Sequence, residues 1–143
     1  MQFEKNIEVD ATAERTLAYM ADFSRLPEWE PTVTRVTQTA GDGPGVGAAY
    51  NVTMRFAGNT LHARYRCDRL NDDEVRFQVD GDDFHGIDHI RVSSRGSGAL
   101  INYWAEIIPQ GSLGKLLMPA SYLVMQWNNA KLTRNLKKRL AAS

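Results

Sequence analysis

The segment YNVTMRF, residues 50–56, alternates apolar and polar side chains without interruption. The same period of two returns in residues 61–68 and, after a short polar interval, in residues 75–79. This pattern is typical of antiparallel strands that place one face on a core and the other in water. Gly81-Asp82 predicts a two-residue hairpin loop, and residues 101–107 alternate again as the last strand. The middle of the chain is therefore predicted to form an antiparallel sheet.

The C-terminal part of the chain has the opposite character. All eleven glycines lie between Gly41 and Gly114. From Leu116 onward, apolar residues recur at helical spacing as far as Leu140, which predicts one long helix with a broad apolar face. A helix of about 27 residues is about 40 Å long and needs a large apolar surface to lie against. A curved sheet supplies that surface and leaves a space beside the helix, so the layout predicts a ligand cavity.

The N-terminal part completes an α+β fold. Residues 2–9 predict a first strand, and either Asp10 or Thr12 can cap a short helix that Pro27 brings to an end. Residues 32–39 are rich in β-branched side chains and predict a further strand. We therefore expect a curved antiparallel sheet of six or seven strands wrapped around a long C-terminal helix, with a short helix pair after the first strand.

Length and composition narrow the function classes. The 143 residues are 43% hydrophobic, enough for one core, so we expect one domain spanning residues 1–143. The 17 acidic and 17 basic residues balance, which argues against a nucleic-acid partner. No apolar run approaches the length of a membrane span, so a transmembrane segment is not expected and a cytoplasmic location is the default. The sequence predicts no cofactor and leaves a weak homodimer open.

Metal binding and nucleophilic catalysis have little support. His85 and His89 stand four residues apart on a predicted strand, which separates them by about 13 Å, too far to share one ion. The single Cys67 excludes an intramolecular disulfide and lies on the predicted core face, where it is interpreted as a packed small hydrophobe. We therefore predict no metal site.

Asp88 is the polar residue that stands out. With a two-residue loop at Gly81-Asp82, Phe84, Asp88 and Ile90 face inward, whereas His85, His89 and Arg91 face outward. A carboxylate in apolar surroundings is costly to bury alone, and such groups are usually paired or functional. The same register places Val79 opposite Phe84, Phe77 opposite Gly86 and Val75 opposite Asp88.

Arg69 is the predicted partner of Asp88. A three-residue turn at residues 71–73 places Arg69 beside Val75, two strands from Asp88 on the same face. Neighbouring strands lie about 4.8 Å apart, so a long arginine side chain can span the gap of about 10 Å. The pair can serve as a structural ion pair or as a polar anchor for a ligand carbonyl or hydroxyl group, and both interpretations stay open.

Three features together resemble the helix-grip fold of the START-like (SRPBCC) superfamily. They are the segment DFSRLPEWEP at residues 22–31, the strand DHIRV at residues 88–92, and the helix that closes the chain. The superfamily includes polyketide cyclase/dehydrase-like, coenzyme Q-binding and birch-pollen-allergen-like proteins. The resemblance implies a hydrophobic cavity between helix and sheet, used in some members for transport or sensing and in others for cyclisation or dehydration. It implies no universal catalytic residues.

The leading hypothesis is binding of a small hydrophobic molecule, such as a lipid, an isoprenoid, a quinone or a polyketide, between the sheet and the terminal helix. One alternative is a cyclase or dehydratase in which Asp88 moves a proton, and another is a chaperone-like protein-interaction module. The residues expected to contact the ligand are aromatic or apolar, with two charged groups for its polar end: Tyr50, Met54, Phe56, Tyr65, Arg69, Asp88, Tyr103 and Trp127.

Overall fold

The computed structural model describes residues 1–56 and 58–141, apart from the side chains of residues 117–128. Its strands are β1 (Gln2–Val9), β2 (Val33–Ala40), β3 (Ala49–Phe56), β4 (Asn59–Leu70), β5 (Glu74–Gly81), β6 (Phe84–Arg95) and β7 (Gly98–Pro109). Its helices are α1 (Ala13–Ala21), α2 (Leu26–Trp29) and α3 (Gly111–Arg139), and a single 3₁₀ turn (Phe23–Arg25) lies between the first two. The predicted α+β class and element order are confirmed.

The seven strands form one antiparallel sheet in the order β1-β7-β6-β5-β4-β3-β2. Helix α3 contacts β1, β3 and β7, so it crosses the face of the sheet that carries the buried side chains. Between β1 and β2 the chain forms α1, which Thr12 caps by accepting a hydrogen bond from the Arg15 amide at 3.2 Å. Helix α2 packs on α3 and on β2.

The pairing of β5 with β6 differs from the predicted register by two residues. Val79 lies opposite Gly86 and Phe77 lies opposite Asp88, because the hairpin closes at the Asp80–His85 pair and its loop is longer than two residues. A shift of two leaves every side chain on its predicted face, since the strand period is two. Phe84, Asp88 and Ile90 are accordingly buried, as predicted. Arg91 is exposed on the outer face, also as predicted.

The predicted pairing of Arg69 with Asp88 is wrong. Leu70, instead of Arg69, lies opposite Val75, and the register of β4 against β5 shifts between Cys67 and Arg69. This bulge turns Arg69 to the outer face, where its guanidinium donates a hydrogen bond to Glu74 at 3.0 Å. Arg69 is therefore separated from Asp88 by the thickness of the sheet.

The start of α3 lies in very close contact with the loop between β5 and β6. A Cβ atom at Gly114 would collide with the backbone carbonyl of Asp83. The Gln110 amide hydrogen also donates to that carbonyl oxygen at 2.9 Å, and the Gln110 side chain donates to the Gly81 carbonyl oxygen at 2.5 Å. These contacts attach the helix to the hairpin at one end of the molecule.

Candidate functional site

A cavity of about 100 Å³ lies between the sheet and α3. Its described walls are mainly apolar and come from every layer of the fold: Phe3, Leu26, Val33, Met54, Phe56, Leu61, Phe84, Ile107, Pro109 and Leu132. Strand residues reach it because alternate side chains of β1, β3, β4, β6 and β7 point to the same face. The polar groups among these walls determine what the cavity can do.

Asp88 is the central polar group of the cavity. It is only 6% exposed, and its Oδ2 accepts a hydrogen bond of 2.7 Å from the Tyr103 hydroxyl group. Burial raises the pKa of Asp88, the hydrogen bond from Tyr103 opposes that rise, and the nearby carboxyl of Glu30 adds to it, so that the pKa of Asp88 is about 7. Asp88 is therefore divided between its neutral and ionised forms near neutral pH.

Glu30 supplies a second carboxyl group to the cavity. It directly follows α2, and its Oε1 accepts hydrogen bonds from the backbone amide of Thr32 at 3.0 Å and from the Thr32 hydroxyl at 2.8 Å. Burial raises the pKa of Glu30, and the two bonds from Thr32 oppose that rise. Sequence reasoning missed Glu30 because it lies in an irregular segment, where no periodicity shows which way a side chain points.

The phenols of Tyr65 and Tyr103 complete the polar end of the cavity. Burial and the neighbouring carboxyls of Asp88 and Glu30 raise the pKa of both well above the usual tyrosine value. Both phenols therefore stay neutral and keep their hydroxyl protons. The Tyr103 ring makes edge contacts with Phe3 and Trp29, with ring centroids 6.0 and 5.9 Å apart. These contacts orient its hydroxyl toward Asp88.

The predicted ligand-contacting residues are only partly brought together. Five line the cavity, namely Met54, Phe56, Tyr65, Asp88 and Tyr103. Tyr50 is fully buried and packs against Phe23 and Phe77 at 6.3 Å instead of lining the cavity. Arg69 lies on the outer face, and the side chain of Trp127 is outside the described residues. Trp29 supports Tyr103 but was not predicted.

The described residues offer no metal centre. Among them, no group of three or more His, Cys, Asp or Glu side chains could hold an ion. Within the same part of the chain, no helix has both the length and the apolarity needed to cross a membrane. The carboxyl and phenol groups described at the cavity lie in apolar surroundings and can take part in hydrogen bonding, charge pairing and proton transfer.

Solved structures with the same architecture come from distant proteins. The Zhui aromatase/cyclase from a Streptomyces species superposes with a TM-score of 0.80 at 12% identity, covering 98% of this chain and 93% of that one. A START superfamily protein from Mycobacterium smegmatis gives 0.75 at 16% identity, covering 97% and 96%. The major latex-like protein 151 from Panax ginseng gives 0.74 at 16% identity, covering 99% and 98%. At identities this low, the superpositions show a shared fold alone.

The sequence itself establishes the family. No protein of curated function matches the chain significantly. The family profile described as "Polyketide cyclase / dehydrase and lipid transport" matches residues 1–141, almost the whole length. The seven-stranded antiparallel sheet, the long C-terminal helix and the cavity between them agree with that match. The chain therefore belongs to the polyketide cyclase/dehydrase and lipid transport family.

Proposed function

We propose that this protein binds a small apolar molecule in the cavity and that Asp88 and Tyr103 contact the polar end of that molecule. The observation that carries the proposal is a buried, hydrogen-bonded carboxyl group in walls that are otherwise mainly apolar. A concave apolar site with a few converging polar groups is the usual form of a small-molecule site. Lipids, isoprenoids, quinones and polyketides are the candidate ligands, in keeping with the family description.

The energetics favour such a ligand. Replacing water at the apolar walls by a hydrophobic molecule favours binding by about 25 cal/mol per Å² of apolar surface removed from water. Asp88 and the two phenols can each donate or accept a hydrogen bond, so a ligand with one polar group satisfies both parts of the cavity. A fully polar ligand would not gain this free energy from contact with the apolar wall.

Native mass spectrometry of gently purified protein tests this function. We expect a bound small molecule that is lost in Val33→Phe, because Val33 lines the cavity and a phenylalanine there occupies ligand volume. Val46→Phe is the matched control, since Val46 is 68% exposed and away from the cavity wall. The control is expected to retain the ligand. Circular dichroism verifies that both variants are folded.

Two results would overturn the binding function. The first is an absence of any bound molecule together with thermal melts that do not respond to added apolar compounds. The second is equal ligand retention in Val33→Phe and Val46→Phe, because the ligand would then lie elsewhere on the protein. The first result would favour the interaction-module hypothesis, and the second would place the binding site outside the cavity.

A cyclase or dehydratase is the second candidate function, and the protonation of Asp88 is the observation that favours it. A carboxyl with a pKa of about 7 exchanges protons readily at neutral pH. Ionised Asp88 would take a proton from the carbon beside a substrate carbonyl, and the resulting neutral acid would return it to a departing hydroxyl group as water. Turnover of a polyketone that is lost in Asp88→Asn, with binding retained, would establish this function.

A further inference from the structure

The cavity contains acidic groups without a basic side chain among its described lining residues. Glu30 and Asp88 both face it, and Asp83 in the loop between β5 and β6 adds a third acidic residue to its wall. Met1 also lines the cavity, and its α-amino group donates a hydrogen bond to the Ile107 carbonyl oxygen at 2.8 Å. The side chains outside the description belong to residues 57, 117–128, 142 and 143, which contain no Lys, Arg or His.

Two acidic residues on the outer face of the sheet are paired with arginines. On the outer face, Asp68 lies 2.9 Å from the Arg76 guanidinium, and Glu74 lies 3.0 Å from that of Arg69. Removing a carboxylate from water is costly unless a cation or hydrogen-bond donors compensate it. Among the described residues, Asp88 has one donor, Tyr103, and Oε1 of Glu30 has the two donors of Thr32. The described lining thus has the acids of an ion pair but no basic side chain to serve as the base, and the Met1 α-amino group donates to the Ile107 carbonyl oxygen.

We propose that the ligand supplies this base: it is a small apolar molecule whose polar end is a protonated amine, held between Asp88 and Glu30. This inference rests on the proposed binding function and narrows its ligand class. An ammonium group provides three hydrogen-bond donors, and the groups around it, two carboxyls and the phenol oxygens of Tyr65 and Tyr103, can all accept. The ionised form of either acid would repel a carboxylate ligand, and an alcohol would leave the charge of that form uncompensated.

Proton release on binding follows from the same arrangement. The groups that act on Asp88 are Tyr103 on β7 and Glu30 after α2, and Tyr65 on β4 is coupled to both acids. The two phenols stay neutral, so Asp88 and Glu30 are the groups that titrate. A cation placed beside them lowers the pKa of both. The amine therefore displaces protons from the protein at neutral pH, whereas a neutral ligand of the same shape does not.

Three compounds with the same apolar part test the inference: 2-phenylethylamine, 2-phenylethanol and phenylacetate. We expect isothermal titration calorimetry to show the amine binding at least tenfold more tightly than the alcohol, with phenylacetate weakest. Titrations at pH 7 in two buffers of different ionisation enthalpy measure the protons exchanged. Release is expected for the amine and none for the alcohol.

Charge-removing variants identify the groups responsible. Asp88→Asn and Glu30→Gln keep the shape of the site, and each is expected to reduce the tenfold preference for the amine over the alcohol. Asp80→Asn is the matched control, because Asp80 is exposed on the outer face of β5. It should bind all three compounds as the unsubstituted protein does. Thermal melts without ligand verify that each variant is folded.

The outcomes separate this inference from the function on which it rests. If the alcohol or phenylacetate binds as tightly as the amine, the charged ligand is refuted while the binding function stands. If none of the three binds but gently purified protein retains a molecule, the composition of that molecule decides, and one without nitrogen refutes the inference. If nothing binds and nothing is retained, both proposals fail.

Discussion

The two faces of the sheet use the same kinds of side chain to opposite effect. On the outer face, hydrogen bonds from Arg76 and Gln78 outweigh partial burial and lower the pKa of Asp68. Hydrogen bonding from Arg69 similarly lowers the pKa of Glu74. On the inner face, burial raises the pKa of Asp88 to about 7.

The contrast shows that the neighbours of a carboxyl determine whether it is structural or available for binding. The outer acids are ionised at neutral pH, and arginines occupy the positions that a ligand could take. The inner acids have hydrogen-bond donors but no described basic side chain, so part of their hydrogen-bonding capacity is left for a ligand. Strand alternation alone, by assigning faces, places a carboxyl in one environment or the other.

The largest expected effect comes from Asp88→Asn. Because the folded pKa of Asp88 is above the unfolded value, the native state binds more protons than the unfolded state between about pH 4 and 7. The contribution of Asp88 to the free energy of unfolding is therefore fully present below about pH 4 and is lost as pH rises through 7. A pKa raised from 3.8 to about 7 corresponds to about 4 kcal/mol. Asp88→Asn should remove this loss.

Urea denaturation at pH 5 and pH 8 measures the difference. The unsubstituted protein is expected to lose more stability between these values than Asp88→Asn does. Glu30 also has a raised pKa and leaves a slope of the same sign in the variant. Parallel stability profiles for the two proteins would contradict the assignment of a raised pKa to Asp88. Asp80→Asn, on the outer face, should follow the unsubstituted protein.

Tyr103→Phe is expected to have the next largest effect. It removes the 2.7 Å hydrogen bond to Asp88, at a loss of about 1–2 kcal/mol for a buried bond to a carboxyl. Because that bond favours the ionised acid, its removal should raise the pKa of Asp88 further. Carbon-13 NMR titration of the carboxyl group measures the change. Tyr65→Phe is the comparison, and an equal pKa change there would contradict a specific role for Tyr103.

Asp68→Asn should have a smaller effect. It weakens the contacts with Arg76 and Gln78 on a partly exposed face, where ion pairs contribute little, so the midpoint temperature should fall by at most about 4 °C. The folded pKa of Asp68 is below its usual value, so the difference from the unsubstituted protein is present at neutral pH and closes as pH falls below about 4. A difference that grew in acid would contradict this account.

Arg95→Ala should have the smallest effect. Arg95 pairs with Glu8 at 2.8 Å, but their side chains are 59% and 65% exposed. Solvent and salt screen such a pair, so the midpoint temperature is expected to change by about 1 °C or less. Differential scanning calorimetry at low and high salt checks this, and a large salt-sensitive loss would show that the outer face stabilises the fold more than the inner one.

Much of this fold could be predicted from periodicity. The alternation in residues 50–56 and 61–68 is that of strands with one buried face, and β3 and β4 include these segments. The helical spacing up to Leu140 likewise predicted α3, which ends at Arg139 with Leu140 as its cap. Both patterns arise from burial of one face, which a sequence records directly.

Pairing between strands was harder to predict. The β5–β6 register was wrong by two, because apolar alternation distinguishes odd shifts from even ones but not one even shift from another. The bulge near Asp68 was missed for a similar reason, since no glycine marks it in the sequence. That single bulge moved Arg69 out of the candidate site.

The polar end of the site was predicted only in part. Asp88 was found because it interrupts an apolar face within a strand. Glu30 has no such periodic setting. Its position next to Pro31 and two residues before Thr32 is a weak signal of a turn in which the Glu30 side chain accepts hydrogen bonds from Thr32. Its approach to Asp88 depends on how α2 packs against the sheet, which is a tertiary property.

The close contact between Gly114 and the Asp83 carbonyl has a consequence for how the family can diversify. Two backbone segments touch there, so a larger residue at position 114 would force the start of α3 away from the hairpin and alter both walls at once. Side chains such as Val33 or Leu61 can change one at a time and remodel the interior locally. New ligand preferences are therefore expected to evolve through the strand positions while this helix start stays constant.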